Sequence, residues 1–257
     1  MKITQIRNAT IVIQSKDKNI LVDPMLSTKG TNIPFKLFTT KPKLNPIVDL
    51  PNNTDEVLKD VTHSLITHCQ KGHFDHLDKD GVRFLKSKNT PVFCSERDIH
   101  YLTKKGLNTT LFQKNKLNTF FNGSIELTEC IHGSGWINNF MEHGVGYYIQ
   151  LKDEPSIYLT GDTVLTDFVK QFIKDKQPDI VVAPAGKAQL DFGKPILMGI
   201  DEILELASLM KGKLIANHLE ALDHCSTTRK ELAKKVEELS LENKVIIPQD
   251  GEVIKFN

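Results

Sequence analysis

Four times in this chain, an apolar strand-like run ends directly in a side chain that can bind a metal ion. The run SLIT leads to His68, and the run LIAN leads to His218. The run SIELTECI leads to His132, and the run SIYLTG leads to Asp162. Strands that end at one edge of a sheet hold such side chains rigidly, while loops shape the access to them. The pattern therefore predicts a sheet-based fold with a metal site at one edge.

The densest group of candidate ligands follows the first of these strands and contains His73-Phe74-Asp75-His76. Two imidazoles and a carboxylate on one short loop suit zinc, iron or manganese better than calcium. Standing alone, a His-x-Asp-His tetrapeptide would more often be a surface loop or a hydrogen-bonded His–Asp pair. The other three strand-end residues favour the metal site.

Composition excludes several classes of partner. The 257 residues carry 33 Lys and Arg against 32 Asp and Glu, a formal net charge of +1. This balance gives no reason to expect nucleic acid or a membrane as the main partner. No apolar run approaches the roughly 18 residues that span a bilayer, and the N-terminus alternates like a strand. We therefore expect a cytoplasmic protein.

The four cysteines form no C-x-x-C pair, so we expect free thiols.

The chain runs from a β-rich opening to alternating strands and helices. We predict strands at 2–7, 10–14, 19–23, 64–67, 91–94, 124–130, 146–151, 156–160, 179–183, 213–216, 245–247 and 252–256. We predict helices at 79–88, 96–105, 164–175, 201–210 and 227–239. This order indicates one α/β domain over 1–257, with mixed sheets covered by helices.

A long stretch at about 26–60 interrupts this order. It holds four prolines with several Asn and Thr residues. Connections this long are uncommon and are often lids or binding loops. The two interpretations are a lid over the site and a plain surface insertion.

The motifs together resemble those of the metallo-β-lactamase superfamily. His73-Phe74-Asp75-His76, His132, Asp162 in Thr-Gly-Asp-Thr, and His218 match its motifs in order and in rough spacing. The early run Ile20-Leu-Val-Asp23-Pro24 is also similar. The branch that looks nearest contains the L-ascorbate-6-phosphate lactonase-like proteins. The resemblance covers nearly the whole chain and implies a four-layer αββα sandwich.

One departure concerns the first histidine of the superfamily motif His-x-His-x-Asp-His. Counting back from His73, Lys71 occupies that place. His68 follows the strand directly, where the first histidine would sit, so a three-residue insertion would explain the shift. Gly72 would let the loop fold back and return His68 to the metal. The alternative is that Lys71 replaces a ligand and weakens the first site.

The resemblance implies a dinuclear centre with a role for each residue. One metal would be held by His68, His73 and His132. The second would be held by Asp75, His76 and His218, and Asp162 would bridge the two. Asp75 and His218 are also the expected catalytic residues, and Asp75 would orient a metal-bridged hydroxide. The expected cofactors are two divalent transition metals, zinc first, with manganese or iron as alternatives. His143 and His224 lie outside these roles and could support a ligand or contact a substrate.

This implies a metal-dependent hydrolase that attacks an ester, lactone or phosphodiester. The partner would be a small molecule, which could be anionic. The alternatives on the same fold are a mono-iron dioxygenase and a metal-binding protein without catalysis, the latter suggested by Lys71.

Overall fold

Two seven-stranded sheets form the centre of the molecule in the computed structural model, which describes residues 1–70, 72–133, 141 and 144–256. Fourteen strands lie within the described part of the chain: β1 (Lys2–Arg7), β2 (Thr10–Ser15), β3 (Lys18–Val22), β4 (His63–Leu65), β5 (Pro91–Cys94), β6 (Asn108–Leu111), β7 (Leu117–Phe120), β8 (Gly123–Glu129), β9 (Val145–Gln150), β10 (Ile157–Leu159), β11 (Ile180–Pro184), β12 (Lys213–Asn217), β13 (Val245–Ile246) and β14 (Val253–Lys255). The described helices are α1 (Thr54–Lys59), α2 (Lys79–Ser87), α3 (Ile99–Lys104), α4 (Asp167–Lys176), α5 (Ile200–Leu209) and α6 (Arg229–Glu238).

The first sheet has the strand order β14-β1-β2-β3-β4-β5-β6, and the second has the order β13-β12-β11-β10-β9-β8-β7. Strands β3 to β6 pair in parallel, and so do β10 to β13. Strand β8 is antiparallel to β9, which is antiparallel to β10, so β8 and β10 run in the same direction. The ends of β8, β10 and β12 therefore meet at one edge of the second sheet.

Alternation along the strands explains the four layers. In β11, Ile180 and Val182 belong to the core between the two sheets, while Val181 and Ala183 belong to a core shared with α4, α5 and α6. The first sheet divides in the same way, with Leu21 of β3 packed towards the layer of α1, α2 and α3. A strand buried on both faces requires such continuous apolar runs. The predicted four-layer αββα sandwich of the metallo-β-lactamase fold is confirmed.

Three elements escaped the sequence prediction. The stretch at 26–60 is not irregular throughout, because its last part forms α1. Strands β6 and β7 were also missed, since three of the four residues of β6 and two of the four of β7 are exposed and their apolar pattern is weak. Helix α4 begins at Asp167 and not at 164, because the Thr166 side chain accepts a hydrogen bond from the backbone N–H of Val169 and caps the helix there.

Within the described residues, no helix has both the length and the apolar character needed to cross a membrane.

Arg7 anchors the 26–60 stretch to the first sheet. Its guanidinium is fully buried and donates hydrogen bonds to the backbone carbonyls of Met25, Ser27 and Val48. Burial lowers the pKa of Arg7 to about 10, while nearby carboxylates such as Asp78 act in the opposite direction. The charge is therefore paired mainly with carbonyl dipoles at both ends of the stretch.

Arg7→Met is expected to lower the free energy of unfolding by about 3 kcal/mol, because it leaves buried carbonyls without donors. Urea denaturation measures this loss. Lys2→Met on the same strand removes an exposed charge and is expected to change stability by less than about 0.5 kcal/mol. Equal stability of the two variants would show that Arg7 does not anchor the stretch.

Candidate metal centre

All seven predicted ligands come together at the edge where the two sheets meet. His68, His73, Asp75 and His76 lie on the loop between β4 and α2. The other three follow strands of the second sheet: His132 after β8, Asp162 after β10 and His218 after β12. Each of the seven is at most 7% exposed. The site is therefore built from both sheets and is closed to bulk water at its base.

The first group of possible ligands consists of His68, His73 and His132. Each offers one ring nitrogen, and these atoms lie within 4.8 Å of one another. The ring centroids are 4.5 Å apart for His68 and His73, and 5.2 Å apart for His73 and His132. Three converging imidazoles with a free side are a common arrangement in catalytic zinc sites.

The second group consists of Asp75, His76, Asp162 and His218, again with ligand atoms within 4.8 Å of one another. Oδ2 of Asp162 is 3.0 Å from Nε2 of His76 and 3.4 Å from Nε2 of His218. The same oxygen is 3.9 Å from Nε2 of His132, which belongs to the first group. Asp162 therefore lies between the two groups, as a bridging carboxylate would.

Hydrogen bonds behind the imidazoles turn their Nε2 atoms towards the centre. Nδ1 of His132 is 3.0 Å from the carbonyl of Ile196, and Nδ1 of His76 is 2.9 Å from Oδ2 of Asp23. The Ile196 carbonyl can only accept, so Nδ1 of His132 donates to it, and the hydrogen bonds at Nδ1 turn Nε2 of both rings towards the centre. Partners of this kind fix the ring and the tautomer of metal-binding histidines.

Two buried atoms of the centre lack the partners that burial normally demands. Nε2 of His68 and Oδ1 of Asp75 make no hydrogen bond within the part of the chain that the structure describes. An unpaired buried polar atom costs about 1–3 kcal/mol. A metal ion at each group would satisfy both atoms, so the residues present fit two metal ions.

The position of His68 bears on the departure from the superfamily motif. Nδ1 of His68 is 3.1 Å from Oγ1 of Thr67, which leaves Nε2 facing His73 and His132. Gly72 has a φ of +88°, the left-handed conformation that glycine adopts without strain. The loop does return His68 to the cluster. Lys71 lies outside the described residues.

The electrostatics of the centre are those of a site that attracts cations. Burial lowers the pKa of His76, but Asp162, Asp75 and Asp23 outweigh it and raise that pKa well above its usual value. Burial raises the pKa of Asp162, but His76 and His218 outweigh it, so its pKa lies well below the usual value. Burial raises the pKa of Asp75 as well, but His76 and His218 outweigh it and hold that pKa well below its usual value. Asp75 and Asp162 therefore stay ionised, and bound cations would compensate their charge.

Part of the 26–60 stretch lies against the centre. The ring of Phe35 stacks on Phe74 with centroids 4.6 Å apart and packs on His224 at 4.2 Å. Asp223 holds this part of the stretch by accepting hydrogen bonds from the backbone N–H groups of Phe35 and Lys36. An aromatic wall therefore borders the ligand loop.

The sequence reasoning missed one supporting residue, Asn8. Asn8, in the turn between β1 and β2, donates to the carbonyl of Asp75 and lies 3.3 Å from Nε2 of His218, and its own carbonyl accepts from the N–H of His218. No sequence signal marks a lone Asn in a hairpin turn as part of a metal site. Cys225 lies 3.4 Å from Nδ1 of His218, where a carbonyl or carboxylate is usual. His143 lies outside the described residues.

The fold and the buried His–Asp centre are those of a metallo-hydrolase, and comparison with known proteins agrees. Residues 2–217 match the family model described as beta-lactamase superfamily domain, and the chain belongs to that family. The UPF0173 protein YddR of Bacillus subtilis (strain 168) is 34% identical, and the match spans 100% of both chains. A UPF0173 metal-dependent hydrolase of Methylacidiphilum infernorum is 25% identical over 93% of each chain.

Among solved structures, an isothiocyanate hydrolase from Delia radicum gut bacteria has a TM-score of 0.89 and 32% identity. That match covers 100% of this chain and 99% of the other. The chain is therefore a metal-dependent hydrolase of the metallo-β-lactamase superfamily. The narrower likeness to L-ascorbate-6-phosphate lactonases stays a prediction.

Proposed function

We propose that the chain is a dinuclear metal hydrolase acting on small, uncharged carbon electrophiles such as isothiocyanates, esters and lactones. The main support for a dinuclear centre is the pair of ligand groups, with Asp162 lying between them. Each group also contains a buried atom without a hydrogen-bond partner among the described residues, Nε2 of His68 in one and Oδ1 of Asp75 in the other. His68, His73 and His132 would hold one ion, and Asp75, His76 and His218 would hold the other. Their ligand chemistry favours zinc, with manganese or iron as alternatives.

When bound, such ions supply a hydroxide nucleophile at neutral pH and polarise the bond that is attacked. The chain itself supplies the positioning. Asp75 is held by Asn8 through its backbone carbonyl, and its carboxylate is placed to orient the attacking water. His76 is locked by Asp23, so its ring cannot swing away from the centre.

The aromatic wall supports an uncharged substrate. Phe35 and Phe74 contribute apolar surface beside the ligand loop. Burial lowers the pKa of His224 to about 3, so its imidazole is neutral and adds no positive charge to this wall. A phosphodiester would gain little from such a surface, because phosphate recognition rests mainly on Arg and Lys.

The likeness to an isothiocyanate hydrolase supports one member of this substrate class. In that reaction water adds to the central carbon of R–N=C=S and the carbon–nitrogen bond breaks. Both protons of the water end on nitrogen, so the products are R–NH2 and carbonyl sulfide. The carbon attacked is electrophilic and uncharged, as in an ester or a lactone.

The test combines metal analysis with a substrate panel of phenethyl isothiocyanate, p-nitrophenyl acetate, γ-butyrolactone and bis-p-nitrophenyl phosphate. We expect close to two transition-metal equivalents per chain, and a kcat/KM on a carbon electrophile at least about tenfold above that on the phosphodiester. Chelation is expected to abolish turnover, and adding back zinc, manganese or iron to restore it.

Two results would overturn parts of this proposal. A protein that binds only traces of zinc, manganese and iron would defeat the dinuclear centre. A protein with full metal content that prefers the phosphodiester would defeat the substrate class alone.

A further inference from the structure

Half of the exposed large hydrophobic side chains in the described part of the chain lie on two loops. Ile33, Leu37, Phe38 and Leu44 belong to the 26–60 stretch, and Phe192 follows β11. They are 70%, 52%, 76%, 57% and 64% exposed, respectively. We call these five side chains the apolar patch. Single exposed apolar residues are ordinary, but a cluster of them indicates an interaction surface.

The structure holds the patch in place from both loops. The rings of Phe38 and Phe192 are 6.3 Å apart, and the carboxylate of Asp191 accepts hydrogen bonds from the backbone N–H groups of Leu37 and Phe38. An antiparallel bridge pairs Asn32 with Asn45, the residues next to Ile33 and Leu44 in the chain. The side chains are thus presented to solvent on a fixed backbone.

Unpaired lysines accompany the patch. Residues 26–48 contain four lysines and no acidic residue, although the whole chain has a net charge of only +1. Lys29, Lys41 and Lys43 are exposed, and so is Lys194 beside Phe192. None of these four forms an ion pair with another described residue. Asp191, the acidic residue nearest in sequence to Lys194, accepts hydrogen bonds from backbone N–H groups.

We propose that the apolar patch docks on the surface of an anionic phospholipid membrane. Exposed Phe and Leu side chains enter the headgroup boundary of a bilayer, while neighbouring lysines pair with anionic lipids. A second copy of the chain is a less suitable partner, because a two-fold interface would bring the lysines of both copies close together and their positive charges would repel. From the balanced net charge we predicted no membrane partner. A net charge does not show where the charges lie, and here the lysines are concentrated beside the apolar patch.

The apolar patch adjoins the aromatic wall of the metal centre along the chain. Phe35 lies on the same stretch as the patch and packs on His224 and Phe74 beside the ligand loop. The docking itself does not depend on which substrate the centre uses.

The test is co-sedimentation of the intact protein with phosphatidylcholine vesicles, with and without about one third phosphatidylglycerol. We expect at least about tenfold stronger binding to the anionic vesicles, weakened as salt is raised. Phe38→Ser with Phe192→Ser is expected to abolish binding, and Lys41→Gln with Lys43→Gln to weaken it on anionic vesicles only. Leu117→Ser, which changes a side chain 70% exposed on β7 outside the patch, is expected to bind normally.

Three results would overturn the proposal. One is equal or absent binding to both kinds of vesicle. Another is normal binding by the Phe38 and Phe192 double variant. The third is a dimer in analytical ultracentrifugation that the same double variant dissociates, because the occupant of the patch would then be a second copy. Circular dichroism of each variant confirms that the fold is intact, and hydrolysis is not needed for any readout.

Discussion

Asp162→Asn is expected to empty both metal sites and to abolish hydrolysis. Its carboxylate oxygen lies 3.0 Å from Nε2 of His76, in one ligand group, and 3.9 Å from Nε2 of His132, in the other. The variant keeps the shape of the side chain but removes its charge and replaces one acceptor oxygen by a donor. Metal affinity should fall by more than the roughly 10–100-fold typical of changes to supporting residues.

Elemental analysis after dialysis measures the metal content of the variant. Asp167→Asn, an exposed change at the start of α4, is the matched control and should keep two equivalents. The pKa of Asp162 lies well below its usual value, because His76 and His218 outweigh the effect of burial, so the wild-type side chain carries the charge that Asp162→Asn removes. If Asp162→Asn retains both metals, the residue does not bridge them.

The sequence predicted the fold because the strands are buried on one or both faces and carry a regular apolar pattern. Val181 and Val182 of β11 belong to different cores, yet both are fully or almost fully buried, and such strands are easy to recognise. Strand β6 is different, since most of its side chains are exposed and its pairing with β5 comes from the backbone. Exposed edge strands leave little trace in the sequence.

The candidate site was predictable to the extent that ligand types stand at strand ends. From that rule we predicted that His132, Asp162 and His218 lie close together although they are far apart in the chain. The structure places them together. The rule says nothing about Asn8 or Phe35. Both reach the site through long-range packing, Asn8 from a hairpin turn and Phe35 from the stretch held by Asp223. Contacts of this kind depend on the assembled fold and not on any local pattern.

His68→Ala is expected to remove about one of the two metal equivalents, whereas Lys71→Ala is expected to remove none. His68 is 1% exposed, and its Nε2 has no partner among the described residues but lies in the group with His73 and His132. The other group has its own ligand set, so it should keep its ion. Loss of one coordinating imidazole is a large and not a graded effect.

Elemental analysis of three variants separates the two accounts of the ligand loop, with the exposed His100→Ala as a control for the loss of any histidine. If His68→Ala leaves the metal content unchanged, His68 is not a ligand, and the account in which Lys71 replaces a ligand and weakens the first site is favoured. The expected result has a structural reason. The three extra residues lengthen the loop, and Gly72, with a φ of +88°, reverses its direction before His73. A β-branched residue at Gly72 could adopt this conformation only with strain, so the turn between His68 and His73 depends on this glycine.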